Sequence, residues 1–272
     1  MLFQQSVQFV LYHMPESLAG RIYYWLLKPV PESFAPLYEL CRLRYAPGIV
    51  LQVPKSREYM YDCIALTGVY ETQLTQIIAD HARAGGVFVD VGANVGYFTT
   101  IWAALQPTNQ AVAIEASPIV YPILERNLAN NNLTERVECV QCAVSDLPGV
   151  LSFAKGDDEP TGWGRIAHTD DEAGVVPVDA MRLDAILKKY SKIDFLKIDV
   201  EGAEQRVLEG AGVFITDQLI DTIYIEINRP GAKAMGLAEA ESLDLLSDAG
   251  YCLRRLNVGG EKDIEDWLAT AR

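Results

Sequence analysis

Three kinds of residue are scarce in this chain of 272 residues: cysteine, histidine and positively charged side chains. Lys and Arg number 23 against 37 Asp and Glu, which gives a formal net charge of -14. A protein that binds a nucleic-acid backbone needs a basic face, so we expect no nucleic-acid partner. The five cysteines are odd in number and scattered, which is typical of free thiols in a reducing compartment.

Cys139 and Cys142 form a C-x-x-C motif, but no second such motif and no histidine pair accompanies it. The motif lies in an alternating run over residues 137–144 that is typical of a strand. An offset of three along a strand places two side chains on opposite faces. We therefore interpret both cysteines as small buried apolar residues, not as zinc ligands or a redox pair.

Long apolar runs are also absent, and none reaches the roughly 18 residues that span a bilayer. No basic residue precedes the first apolar stretch and no small-residue cleavage site follows it, so we expect no secretory signal and a cytoplasmic protein. Half of the residues are apolar and 22% are charged, as in soluble globular chains. The length suits one large α/β domain, or one domain with an appendage.

The first 50 residues differ from the rest because they are rich in proline and aromatic residues and nearly neutral. Helical patterns over about 2–13 and 17–27 are separated by Pro15 and ended by Pro29 and Pro31. We predict that residues 1–55 form a helical cap on the core or a lid over the substrate. A dimer surface, and a contact of residues 1–28 with membrane lipid, remain open.

Strand and helix signals alternate through residues 56–272, which we assign to a single domain. The pattern predicts an α/β fold with a seven-stranded, mostly parallel sheet and helices on both faces. The predicted strands cover residues 87–91, 111–115, 137–143, 193–199, 222–227, 251–257 and 266–271.

Ligands of such sheets bind beyond the carboxyl ends of the strands. The first strand ends in a glycine turn over residues 90–96 that lets the backbone approach a ligand. Glu115 can bind both hydroxyls of a ribose, and Ser145 and Asp146 suit an adenine amino group. Asn94 stands where a dinucleotide fingerprint has its middle glycine, and Asp90 would repel a diphosphate. The spacing favours S-adenosylmethionine over NAD.

Residues 90–99 and 195–204 resemble the two signatures of FkbM-type S-adenosylmethionine-dependent methyltransferases. Residues 178–187 are similar to the pattern between these signatures, and residues 68–71 to the G-x-Y-E stretch that precedes the domain. Ala116 departs from the proline that is usual after the acidic residue. The resemblance covers roughly residues 60–257. It implies a Rossmann-like class I methyltransferase fold and methylation of a hydroxyl on a small molecule, sugar or lipid-like product. Together with the strand ends, it indicates these cofactor-binding residues: Tyr70, Glu71, Asp90, Gly92, Asn94, Gly96, Tyr97, Phe98, Glu115, Ala116, Ser145, Asp146 and Asp199.

Acidic residues end the fourth and fifth predicted strands, next to Lys197. In one interpretation Asp199 or Glu201 is the base or orients the acceptor, Lys197 tunes the electrostatics, and Glu226 is a further catalytic candidate. In the other, Lys197 pairs with Glu226, while Glu201 and Glu204 cap the next helix. Asp199, Glu226 and Asn228 also offer oxygen ligands for Mg²⁺, which leaves a metal open.

The acceptor site is the least determined by the sequence. A loop over residues 156–174 carries Trp163, Arg165 and His168, which could close over a substrate or form a solvated surface. Asn228 is a further substrate candidate. An NAD(P)-dependent oxidoreductase, a non-catalytic module that keeps the fold, and self-association of the chain stay open as alternatives.

Overall fold

The computed structural model describes residues 2–23, 30, 32–55, 58–154, 164–167, 174–237, 241–256 and 263–272. This part of the chain contains both helices and strands. The helices are α1 Leu2–His13, α2 Glu16–Ile22, α3 Tyr59–Thr67, α4 Thr72–Ala84, α5 Tyr97–Leu105, α6 Tyr121–Asn130, α7 Leu183–Ile186, α8 Glu204–Ala211, α9 Val213–Thr216, α10 Arg229–Ala234 and α11 Glu241–Asp248, with a 3-10 helix at Glu32–Glu39. The strands are β1 Cys41–Arg42, β2 Val50–Leu51, β3 Val87–Val91, β4 Gln110–Ile114, β5 Val137–Val140, β6 Ala143–Val144, β7 Gly149–Ala154, β8 Arg165–Ile166, β9 Val175–Met181, β10 Ile193–Ile198, β11 Ile220–Asn228, β12 Cys252–Arg255 and β13 Ile264–Thr270.

The central sheet has seven strands in the order β12-β13-β11-β10-β3-β4-β5, which confirms the predicted architecture. Neighbouring strands from β11 to β5 run parallel, and β13 is antiparallel to both β11 and β12. After β5 at one edge, the chain returns to place β10 beside β3. The strand order therefore reverses between β3 and β10, where open α/β sheets bind their ligands.

Apolar side chains cover both faces of this sheet because its strands are buried on both sides. On one face Phe88 stacks on Trp102 of α5, with ring centroids 5.2 Å apart, and both pack against Phe195. Helices α4, α5 and α6 complete that layer. On the other face Val89, Leu196 and Ile223 pack against α7, α8, α9 and α11. The two layers hold the carboxyl ends of the strands in a fixed arrangement.

A second, four-stranded sheet in the order β6-β9-β7-β8 was not predicted. The predicted strand 137–143 ends at Val140, and Ala143–Val144 pairs with β9 instead. The alternating run thus belongs to two sheets, so Cys139 and Cys142 do not share one strand. Both thiols are free, with Cys142 buried and Cys139 partly buried. Arg165, predicted in a loop, lies in β8, whereas Trp163 and His168 lie outside the described residues.

The N-terminal segment packs against α3 through an apolar cluster that includes Leu11, Tyr23, Phe34 and Leu66. Tyr23 donates a hydrogen bond to the buried carboxyl group of Asp62, at 2.8 Å, and Tyr38 donates to its other oxygen. Helices at 2–13 and 16–22 agree with the predicted helical segment. Within the described ranges, no helix combines the length and the apolar character that crossing a bilayer requires.

Candidate functional site

A cavity of about 220 Å³ lies at the carboxyl ends of β3, β4, β10 and β11. Its floor is formed by the turn after β3 and by Glu115 after β4, and its far end by side chains that follow β10 and β11. The first turn of α3 and residues of the second sheet also line it. The cavity therefore occupies the switch point at which the sequence predicted a ligand.

Gly92 is the tightest point of the turn after β3. Its φ is +80°, and a Cβ atom placed there would lie 1.9 Å from the carbonyl oxygen of Asp199. The N–H groups of Gly92 and Ala93 both donate to the carbonyl of Ile114, each at 3.0 Å. Only glycine accommodates both the left-handed backbone and this approach. The turn is thereby fixed against the ends of β4 and β10.

Glu115 presents a carboxylate at the cavity wall and is 9% exposed. Its two oxygens accept hydrogen bonds from the N–H groups of Asn94 and Ser117, both at 2.8 Å. A carboxylate offers about four lone-pair positions, so two remain for further donors. Backbone groups thus orient Glu115 and leave it able to accept hydrogen bonds from the two hydroxyls of a ribose.

Lys197 is a buried cation in the middle of the sheet and is 2% exposed. Its Nζ atom lies 3.1 Å from Asp199 Oδ2, 3.5 Å from Asp90 Oδ1 and 5.5 Å from the centre of the Phe98 ring. Burial alone lowers the pKa of Lys197, but the charges of Asp199, Asp90 and Glu71 outweigh it and raise that pKa above its ordinary value. Among the described residues, Lys197 forms ion pairs with Asp199 and Asp90 and not with Glu226.

Asp90 lies behind the cavity wall and does not line it. The side chain is fully buried, and Oδ2 accepts a hydrogen bond of 2.6 Å from the Thr99 hydroxyl. The other oxygen, Oδ1, has no hydrogen-bond partner and faces Lys197 as its counter-ion. Asp90, which we predicted as a cofactor-binding residue, is therefore separated from the cavity, and Lys197 connects the two.

Three carboxylates meet at the ends of β10 and β11: those of Asp199, Glu201 and Glu226, with oxygens within 4.8 Å of one another. Burial and the adjacent Asp199 charge raise the pKa of Glu226 well above its usual range, which favours its protonated form. Burial and Asp199 also raise the pKa of Glu71 to about 7. This end of the cavity is thus rich in carboxyl groups that share few counter-ions.

Asn228, which we predicted as a metal ligand and a substrate contact, does not line the cavity, and both ends of its side-chain amide form hydrogen bonds within the chain. Its Oδ1 accepts the N–H of Gly231 at 2.9 Å and caps α10, while Nδ2 donates to Glu201 Oε2 at 2.7 Å. Asn228 instead holds Glu201, whose φ of +57° is unusual for a residue with a side chain. Glu204 lies in the first turn of α8, but its carboxylate accepts the N–H of Gly202, at 2.7 Å, and the N-cap of α8 has no side-chain hydrogen bond.

The other predicted residues divide into those at the cavity and those away from it. The cavity is lined by Tyr70, Asn94, Tyr97, Phe98, Ala116 and Arg165. Gly96 and Glu71 do not line the cavity. Gly96, with φ +86°, is the N-cap residue of α5. Ser145 and Asp146 also do not line it, and Ser145 instead donates to Asp146 Oδ1 at 2.9 Å. Cys142, Ala143 and Val144 form that part of the wall.

Two groups of lining residues were missed by sequence reasoning. Glu58, Tyr59 and Met60 begin α3, and Phe153 and Ile166 come from the second sheet. The G-x-Y-E pattern at residues 68–71 follows α3 directly, so it was the one signal near the first group. The second group depended on strands that the sequence did not reveal.

Comparison with known proteins adds three findings. The family model described as the methyltransferase FkbM domain matches residues 90–253, more than half of the chain. Methyltransferase sdnD from Sordaria araneosa is 32% identical over 152 residues, which are 45% of this chain and 59% of that protein. The 31-O-demethyl-FK506 methyltransferase FkbM from Streptomyces tacrolimicus is 28% identical over 158 residues, with shares of 47% and 60%.

These matches therefore span about three fifths of the length of the curated relatives. Among solved structures, the O-methyltransferase from Bacillus cereus in complex with SAH shares 17% identity at a TM-score of 0.47. That match covers 75% of this chain and 82% of the other.

Proposed function

Because the chain belongs to the family of methyltransferase FkbM domains, we propose that it is an S-adenosylmethionine-dependent methyltransferase that acts on a hydroxyl oxygen. The observation that carries the proposal is the cavity at the reversal of strand order. Its lining includes the glycine turn after β3, the carboxylate of Glu115 and the carboxyl groups that follow β10 and β11. The acceptor class is a hydroxylated small molecule, sugar or lipid-like product.

The lining residues fit S-adenosylmethionine by their chemistry. Glu115 would accept the ribose hydroxyls, and the apolar side chains of Val144, Phe153 and Ile166 would pack against the adenine. The carboxyl groups after β10 and β11 suit the positive sulfonium and ammonium groups, which a diphosphate cofactor lacks. When bound, this cofactor supplies an already activated methyl group.

The chain must therefore hold an acceptor oxygen in line with the methyl group and exclude water. Asp199 is the residue we assign to the proton of an alcohol acceptor, because it lines the cavity and its side chain is 31% exposed. Lys197 donates to Asp199 and to the carbonyl of Gly92, at 3.1 and 3.3 Å, and so fixes the carboxylate relative to the cofactor turn. Glu201 and Glu226 would orient the acceptor beside it.

The cofactor assignment is tested by calorimetry with S-adenosylhomocysteine, NAD(H) and NADP(H). We expect S-adenosylhomocysteine to bind and the dinucleotides not to bind. Binding of the dinucleotides alone would contradict the proposal and favour an oxidoreductase. Absence of binding by any of them at millimolar concentration would favour a non-catalytic module.

The acceptor is sought by screening hydroxylated metabolites, sugars and lipids for methyl incorporation.

Once the acceptor is found, Asp199→Asn should retain S-adenosylhomocysteine binding but lose turnover, because the amide cannot take a proton. Glu209→Gln, at an exposed carboxylate of α8, is the matched control and should keep wild-type turnover. Full turnover in Asp199→Asn would remove the assignment. EDTA in the same assay, with Mg²⁺ added back, tests whether the carboxyl cluster binds a metal.

A further inference from the structure

Tyr61 is a fully buried residue of α3 that no sequence motif marks. Its ring packs in the main apolar core, and its hydroxyl donates a hydrogen bond of 3.0 Å to Oδ1 of Asn94 in the cofactor turn. The two residues are 33 positions apart in the chain. This bond therefore connects the helix beside the cavity to the turn after β3.

Asn94 has a left-handed backbone, with φ +51°. Such a conformation is costly for a residue with a side chain, and it persists only where surrounding contacts hold it. The side-chain Oδ1 accepts from Tyr61 and, locally, from the N–H of Val95 at 2.8 Å. Of these two bonds, the one from Tyr61 ties Asn94 to a distant element.

The backbone N–H of Asn94 donates to Glu115 Oε2, at 2.8 Å. The N–H and the side chain belong to the same residue, so contacts that hold the side chain of Asn94 also hold this N–H in place against Glu115. A displacement of Asn94 would therefore lengthen its hydrogen bond to Glu115. The orientation of the Glu115 carboxylate is thus linked, through Asn94, to the hydroxyl of Tyr61.

We propose that Tyr61 is a positioning residue of the cofactor site, which holds Asn94 in the conformation that orients Glu115 toward the ribose. The inference rests on the proposed function, since it assumes that Glu115 binds the cofactor. It assigns a role to the phenol hydroxyl that is separate from the packing of the ring. Tyr61→Phe isolates that role, because the ring and its packing are kept.

The experiment measures the Kd of S-adenosylhomocysteine by calorimetry and the melting temperature of each variant. We expect Tyr61→Phe to weaken binding about 3- to 10-fold, the range for loss of one hydrogen bond. Tyr251→Phe is the matched control, because Tyr251 is also buried and its hydroxyl donates to the carbonyl of Ile220 at 3.0 Å, away from the cavity. It should lose comparable stability and retain wild-type affinity.

A double-mutant cycle separates positioning from general packing. Asn94→Gly adopts the left-handed conformation without strain and has no side chain for Tyr61 to hold. We therefore expect Tyr61→Phe to cause no further loss of affinity in the Asn94→Gly background. Equal affinity of Tyr61→Phe and wild type, or additive losses in the double variant, would overturn the proposal. A wild-type protein that does not bind S-adenosylhomocysteine would contradict the proposed function itself, and the Tyr61 assignment with it.

Discussion

Gly92 lets the turn after β3 approach the end of β10 because it has no side chain. A Cβ atom there would collide with the Asp199 carbonyl, and the φ of +80° would add backbone strain of about 1–3 kcal/mol. Since Asp199 is the proposed proton acceptor, the same contact sets the distance between the cofactor turn and the catalytic strand end. A change at Gly92 must therefore disturb both.

We predict that Gly92→Ala loses S-adenosylhomocysteine binding and melts several degrees below wild type. Gly149→Ala is the control, because a Cβ atom at Gly149 meets no atom within 4 Å. That variant should match wild type in both affinity and melting temperature. Wild-type affinity in Gly92→Ala would show that the turn can move away from Asp199.

Glu71 provides a pH-dependent prediction at the same scale. Its folded-state pKa of about 7 lies above the ordinary value of 4.5 because of burial and Asp199. The folded protein therefore binds this proton more tightly than the unfolded chain, and ionisation of Glu71 lowers stability as pH rises through that interval. Glu71→Gln cannot ionise and escapes the loss.

The melting temperature of Glu71→Gln minus that of wild type should thus increase from about pH 5 to about pH 7.5 and then level off. Thermal unfolding followed by circular dichroism across this range provides the measurement. Asp80→Asn, at an exposed carboxylate of α4, controls for the removal of one negative charge. A difference that is constant with pH would show that Glu71 keeps an ordinary pKa.

At the scale of elements, α6 holds the short strand β2 against the domain through two asparagines. Asn127 accepts the N–H of Gln52 at 2.8 Å and donates to the carbonyls of Gln52 and Val95, at 2.9 and 2.8 Å. Asn131 binds the N–H and carbonyl of Val50 in the same way. These side-chain amides thus bind backbone groups of Val50 and Gln52, while β1 pairs with β2 as its neighbouring strand.

We predict that Asn127→Ala lowers the free energy of unfolding by about 1–3 kcal/mol, since three backbone groups lose their partner. Asn130→Ala, on the exposed side of α6, should change it little. Urea unfolding of the two variants and wild type measures the difference. Equal stability of both variants would mean that water satisfies the freed groups of Gln52 and Val95.

Element by element, sequence reasoning predicted the central sheet well because its strands are continuous apolar runs between helices. It also placed the site, since the acidic and glycine-rich segments follow strands that end at one edge. The second sheet escaped because β6 and β8 are two residues long and carry no periodicity. Ser145 and Asp146 were misplaced relative to the cavity for the same reason, as the chain leaves β5 for β6 before reaching them.

The contacts of α3 could not be predicted for a different reason. Tyr61 and Asn94 are far apart in sequence, and only the packed fold brings them together. Likewise, Lys197 could have paired with Glu226 on the neighbouring strand, and the choice of Asp90 and Asp199 depends on side-chain directions. Spacing identifies which residues reach the strand ends but not which of them form pairs.

For the whole molecule, the N-terminal segment and the methyltransferase domain share one core. Residues of the segment from Tyr38 to Val53 pack in the same apolar cluster as Phe88, Trp102 and Phe195. None of the described residues of the segment lines the cavity, although α3, on which the segment packs, does. The predicted boundary near residue 55 therefore crosses a continuous core.

We predict that a chain truncated before residue 54 shows no cooperative thermal transition and binds a hydrophobic dye such as ANS, because the main core is opened. A chain that lacks only residues 1–14 should still unfold cooperatively, at a lower temperature. Differential scanning calorimetry distinguishes the two. Cooperative, wild-type-like unfolding of the shorter chain would show that residues 54–272 suffice for the fold.

Three residues with left-handed backbones and full side chains, Glu71, Asn94 and Glu201, belong to the site or adjoin it. Glycine at each position would relieve the backbone strain, so each native side chain occupies its position at a cost in thermal stability. A laboratory selection for heat resistance alone would be free to replace them. Variants selected in this way would have higher melting temperatures but would lose cofactor binding and turnover, because the replaced side chains belong to the site or adjoin it.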